Sequence, residues 1–234
     1  HGVYSWVDAP VQEKILQICA GNLTRNGVAY VSYNTYPGWH MREMVRHMMR
    51  YHAGQFEDPA EQVEQARALL AFLASASDGR GPYGELLNEE VGRLARASDS
   101  YLFHEHLEQT NAPCYFHQFT ERVERAGLMY LSEASVSDML TSHFPPAIAE
   151  TLERISPDIL HLEQYMDFVR NRQFRQTLLC RAELEDKALP IHTDATLKVP
   201  EGVRFDAKRK VLYVSNIDGE PWGADGKGSV AKVG

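Results

Sequence analysis

The chain has 234 residues, 44% of them hydrophobic, which is enough to bury a core of one large domain or two small ones. A formal charge of −8 argues against a surface built to neutralise phosphates, so nucleic acid is an unlikely partner. No apolar run reaches the roughly 20 residues that cross a bilayer, and the three cysteines, Cys19, Cys114 and Cys180, form no C-x-x-C pair. That spacing suggests neither a disulfide framework nor a thiolate zinc site and is read as a reducing, cytoplasmic setting.

In chain order, Asp8 and Pro10 open a predicted helix carrying Ile15, Leu16, Cys19 and Leu23, and Asn22 to Gly27 stops it. Val28 to Tyr33 then reads as a buried strand. A helix followed by so short an apolar strand is a unit of a parallel sheet and cannot bury itself alone. The chain starts at His1 rather than Met, and the expectation is that this segment closes something larger.

The turn-rich loop Tyr33 to Trp39 leads to a helix over His40 to His52, whose Met41, Met44, Val45, Met48 and Met49 form an apolar stripe assigned to packing. Asp58-Pro-Ala-Glu61 is a capping box for a helix to about Ala76. Further helices are predicted over Tyr83 to Ala97 and Phe116 to Ala126, the latter stopped by Gly127, and a strand over Leu128 to Ala134. A short helix spans Ser135 to His143, Pro145-Pro146 breaks the chain, and a helix covers Pro157 to Arg170. Phe174 to Cys180 reads as a strand and Val211 to Val214 as part of a set of short antiparallel strands.

Loops beyond the carboxyl ends of parallel strands are where ligands sit. Two are visible, His1 to Val7 and Ser32 to His40, both rich in aromatic and hydrogen-bonding side chains that suit a pocket with flat walls. The same aromatics could simply close the edge of a sheet.

At these residues the sequence resembles a known family. HGVYSWV, NGVAYVSYNTYPGWHMREMVRHMMRYH, the long run PYGELLNEEVGRLARASDSYLFHEHLEQTNAPCYFHQFTERVERAGLMYLSEA and NRQFRQTLLCR resemble bacterial class I S-adenosylmethionine-dependent methyltransferases that carry a methyltransferase regulatory domain. The resemblance implies an α/β fragment, the end of a Rossmann-like methyltransferase sheet, over 1–53. A mainly α-helical regulatory domain would follow over 54–143 and a small α+β region, with a winged-helix reading open, over 144–234. It further implies S-adenosylmethionine as cofactor and protein lysine or another large molecule as acceptor. Tyr4, Trp6, Tyr33, Asn34 and Tyr36 are the expected catalytic residues, and His1 is expected to touch the cofactor.

The glycine-rich cofactor loop of that fold is missing from the sequence. Gly79 to Gly84 is the densest glycine cluster, but it lies between predicted helices with no strand before it. The expectation is therefore that this chain lacks the cofactor-binding half and does not bind S-adenosylmethionine alone; a non-catalytic regulatory or protein-binding module is the alternative.

Three other groupings carry lesser expectations. His104, Glu105, His106, Glu108 and His117 have metal-ligand chemistry, with His104 and His106 on one side if the segment is a strand, yet lack the i, i+4 helical spacing; structural histidines are expected. Cys114 is expected to be buried rather than nucleophilic. Arg170, Arg172, Arg175, Arg181, Lys208 and Lys210 are the basic concentration, expected to be a solvated face or a dock for an acidic segment.

Overall fold

The computed structural model describes residues 2–77, 81–183 and the strands within 200–233. His1, Lys208 and Lys210 lie outside the described residues.

Asp8 caps α1 (Ala9–Asn22) by accepting from the Val11 backbone N–H at 3.4 Å, with Pro10 in the first turn. The chain then forms β1 (Ala29–Asn34), within a residue of the expected strand. α2 (Trp39–Ala53) follows, then α3 (Pro59–Ala76), whose cap Asp58 accepts from Glu61 N–H at 2.9 Å, and α4 (Gly81–Leu94).

The apolar faces of α2, α3 and α4 meet in one core containing Val45, Met49, Val63, Leu70, Leu87, Leu94 and Leu102. Each fully buried leucine there stabilises the unit by about 1.5–3 kcal/mol. Met41 and Met44 stay exposed, so only the Val45–Met49 part of the methionine stripe enters the core.

A short α5 (Asp99–Leu102) runs directly into a π-helical turn, Phe103–Leu107, closed by the Glu108 N–H donating to the Phe103 carbonyl. His104 and His106 therefore lie on a helical turn and not on a strand. α6 (Phe116–Arg125) ends at Gly127, whose φ of 76° is the left-handed conformation that stops a helix at little cost.

β2 (Leu128–Glu133) follows, then α7 (Pro146–Ile155), α8 (Ile159–Arg170) and β3 (Phe174–Arg181). Pro146 does not break the chain but opens α7 at its first position, where a missing N–H costs nothing.

The sheet order is β1-β3-β2, with β3 antiparallel to both neighbours. β1 was expected in a parallel pairing, and it is instead antiparallel to β3, because the α8–β3 turn at Asn171 (φ 50°) sends the chain back between the two earlier strands. β1 and β2 consequently run parallel to each other with β3 between them. Tyr4, Leu16, Val31, Tyr33, Phe119, Val123, Leu128 and Leu179 form the core under this sheet. A second three-stranded antiparallel sheet, β4 (Pro200–Asp206), β5 (Val211–Ile217) and β6 (Gly228–Val233), is formed by the C-terminal strands.

Candidate functional site

Three segments converge where β1 ends. Ser5 Oγ accepts from the Asn34 backbone N–H at 2.8 Å, and Ser32 Oγ accepts from Gly2 N–H at 2.8 Å, so the first loop is pinned along the end of the strand. The Ala112 N–H donates to the Ser5 carbonyl at 2.7 Å, and Thr35 Oγ1 donates to the Cys114 carbonyl at 2.8 Å. On the other flank Gly38 N–H donates to the Arg172 carbonyl at 2.9 Å. Gly38 is required there, since a Cβ would lie 2.4 Å from the Asn171 carbonyl oxygen.

The expected catalytic residues separate into two groups. Tyr4 and Tyr33 are core residues, 2% and 0% exposed, edge-on and stacked respectively against Phe119. Asn34 is buried and donates from Nδ2 to Asn111 Oδ1 at 3.1 Å, tying the strand end to the segment before α6. Trp6 and Tyr36 keep part of their rings accessible.

Trp6 packs against Trp39 at 6.4 Å and His104 at 4.4 Å between ring centroids, so the π-helical turn delivers His104 to the first loop. Tyr36 stacks on His40 at 4.0 Å with an interplanar angle of 11°, and its hydroxyl donates to Glu43 Oε2 at 2.8 Å. Burial and the Glu43 charge together raise the Tyr36 phenol above its ordinary pKa, so it remains a donor at neutral pH. Tyr115, at the start of α6, completes the group: its ring centroid is 5.3 Å from Tyr36 and its hydroxyl 2.9 Å from His40 Nε2.

Other groupings fall differently. His106 is 1% exposed and among the described residues neither ring nitrogen has a hydrogen-bond partner; burial, reinforced by Arg93, Arg42 and Arg46, lowers its pKa to about 3. Among the described residues no group of three His, Cys, Asp or Glu side chains could hold a metal ion. Cys114 is 1% exposed and burial pushes its thiol up to about 11.

The expected basic face is in fact interior at its centre. Arg175 is fully buried among Glu133, Glu163 and Asp167, and Arg172 pairs with Glu133 and Asp138 at 3.1 and 3.2 Å. An alternating strand pattern places Arg175 on the same face as Thr177 and Leu179, a signal that could have marked it as inward. An open cavity of about 510 Å³ lies beside this cluster, lined by Asp138, His143, Arg170, Asn171, Arg172 and Gln173.

Residues 98–181 match the family described as a predicted methyltransferase regulatory domain. They are a methyltransferase regulatory domain. The regulatory domain thus supplies His104, Tyr115, β2, α8 and β3, and so includes two of the three strands of the main sheet.

The chain is similar to PKMT2 from Rickettsia typhi in complex with AdoHcy, at 42% identity and a TM-score of 0.69 over 78% of this chain and 35% of that one. It is 45% identical to uncharacterized protein RP789 of Rickettsia prowazekii over 93% of this chain and 37% of the relative, and 41% identical to uncharacterized protein RP028 of the same organism over 53% and 50%. The chain therefore spans between about a third and a half of the length of these relatives. No described helix is long and apolar enough to cross a membrane.

Proposed function

We propose that the chain is part of an S-adenosylmethionine-dependent methyltransferase that acts on protein lysine or another large acceptor. In this reading it supplies the acceptor-side loops and the regulatory domain, while the cofactor-binding half of a Rossmann-like sheet lies elsewhere in the polypeptide. The observation that carries the reading is the similarity to PKMT2, which is described with AdoHcy bound.

The local geometry supports it. Four of the six residues of β1 are buried, yet among the described residues β3 is the only strand paired with it; its other edge is held at Asn34 by Ser5 and Cys114 and has no strand beside it. Val11, Ile18, Val28 and Tyr30, on α1 and at β1, are exposed, the apolar surface expected where further elements pack. The aromatic loops sit at the carboxyl end of β1, the position where α/β sheets place ligands.

The described residues do not fit the cofactor by themselves. No glycine-rich loop follows a strand, and Gly81 (φ 74°) opens α4 between two helices. What these residues supply is positioning: Trp6 and Tyr36 present aromatic walls, while Asn34, Tyr4 and Tyr33 fix the strand end that carries them. Placing two reactants in line accounts for much of the acceleration in a displacement of this kind.

Transfer of labelled methyl from S-adenosylmethionine to a lysine-rich protein tests the reading, using this chain and a version extended upstream. Transfer by the extended form alone supports it, and no transfer by either form to any acceptor tried would sink it. A non-catalytic binding module, the second reading, predicts acceptor binding by the helical part with no transfer.

A further inference from the structure

We propose that Tyr36, His40 and Tyr115, with the Glu43 carboxylate beside them, form a seat for an ammonium group, and that the regulatory domain thereby builds one wall of the acceptor site. The inference rests on the methyltransferase reading for its biological sense, but its chemistry stands on the cluster itself.

Three rings meet at the carboxyl end of β1. Tyr36 and His40 come from the loop and first turn of α2, whereas Tyr115 comes from the regulatory domain. Centroid separations are 4.0 Å for Tyr36–His40, 5.3 Å for Tyr36–Tyr115 and 5.9 Å for His40–Tyr115. The rings belong to none of the apolar cores under the sheet or among the helices, and His40 is exposed while Tyr36, Tyr115 and Glu43 are partly so. Two bonds hold them, Tyr36 hydroxyl to Glu43 and His40 Nε2 to Tyr115 hydroxyl, and stacking takes up one face of Tyr36 against His40 and one face of Tyr115 against His117 (5.5 Å, 20°), so a cation would meet the opposite faces.

Glu43 decides the sign of the ligand. Among the described residues it forms no direct ion pair: Arg46, one turn along α2, feels its charge but donates to the Glu108 carbonyl, and the partner of Glu43 is the Tyr36 phenol, which keeps its proton. A carboxylate beside electron-rich ring faces attracts a cation and repels phosphate or carboxylate. The chain's net charge of −8 favours a basic partner in the same direction. A lysine-type amine, free or methylated, on a flexible apolar stem has the matching charge and shape.

The test uses the present chain with choline and its neutral isostere 3,3-dimethylbutan-1-ol, read by NMR of 13C-labelled tyrosine rings. Choline is expected to bind and shift ring signals that disappear in Tyr36→Leu and Tyr115→Leu, each variant weakening it roughly five- to thirty-fold. Glu43→Gln should weaken choline but not the alcohol, and Tyr115→Phe, which keeps the ring, should retain most of the binding. Circular dichroism and thermal transitions confirm that each variant is folded. Equal binding of choline and the alcohol, or unchanged choline binding in folded Tyr115→Leu, overturns the seat.

The two readings fail separately. An extended chain that transfers methyl groups to a lysine peptide with an unchanged KM in Tyr115→Leu overturns the seat and leaves the methyltransferase reading standing. Choline binding lost in the ring variants, with no transfer by the extended chain, keeps the seat and removes that reading.

Discussion

Arg175 Nη1 lies 2.7 Å from Glu133 Oε1, and both side chains are wholly buried. Glu133 ends β2 and Arg175 is the second residue of β3, while Asp167 and Glu163, one helical turn apart on α8, complete the cage at 2.8 and 2.9 Å. The guanidinium carbon sits 3.9 Å from the Phe116 ring centroid, so this one side chain joins α6, α8, β2 and β3.

Removing that guanidinium leaves three interior carboxylates without their main partner. Arg175→Met is expected to lower unfolding stability by about 3–5 kcal/mol, measured by urea denaturation. Arg175→Lys should recover only part, since one ammonium cannot reproduce contacts made by three nitrogens. A wild-type midpoint for Arg175→Met would contradict the assignment.

Within this cage Glu163 has the weakest claim to charge. Burial, with the Glu133 charge adding to it, raises its carboxyl from 4.5 to about 7, against the opposing pull of Arg175, and its Oε1 has no hydrogen-bond partner among the described residues. A carboxyl with a raised folded-state pKa gives stability that is full below about pH 4.5 and lost as pH rises through about 7. Urea midpoints of wild type should therefore fall between pH 5 and 8 relative to those of Glu163→Gln. Parallel curves for the two proteins would show that the cage holds no such proton.

His106 predicts the opposite slope. Its folded-state pKa is lowered from 6.5 to about 3 by burial and then by Arg93, so its contribution is present above pH 6.5 and lost as pH falls toward 3. His106→Phe should change stability at pH 7 by less than about 1.5 kcal/mol while making the protein less sensitive to acid between pH 6.5 and 4. A variant as acid-sensitive as wild type would place the effect elsewhere.

Gly38→Ala brings a methyl against the backbone oxygens of Asn171 and Arg172, at 2.4 and 2.5 Å in the unrelaxed geometry. Neither atom can move without displacing the turn into β3, so a loss of about 1–3 kcal/mol is expected. Thermal unfolding of the purified variant measures it, and an unshifted transition would mean that the loop and turn are not in fixed contact.

Local signals in the sequence carried much of the fold. Asp8 and Asp58 cap the helices that their positions suggest, Gly127 stops α6, and the three strands of the main sheet lie within a residue or so of their expected bounds. Partner choice was not local. That β3 enters between β1 and β2 depends on a return turn at Asn171, about 140 residues after β1, which no short pattern encodes. Pro146 was legible as a breaker and equally as a first-turn residue, and only packing of α7 chose the latter.

The site followed the same division. The loops holding Trp6 and Tyr36 were visible from composition, but Tyr4 and Tyr33 differ from them only in facing Phe119, a residue more than 80 positions away. His40 closes the second of these loops, but Glu43 and Tyr115 carry no local signal, because their chemistry arises from proximity across the chain. Arg175 was counted with a basic surface since its three carboxylate partners come from β2 and α8.

Calorimetric titration of S-adenosylmethionine into this chain, and into a version extended upstream by on the order of 100 residues, the size of half a doubly wound sheet, tests the central claim most directly. The account predicts binding by the extended form and none by this chain. Micromolar binding by this chain alone would contradict the absence of the cofactor half, and no binding by either would contradict the methyltransferase reading itself.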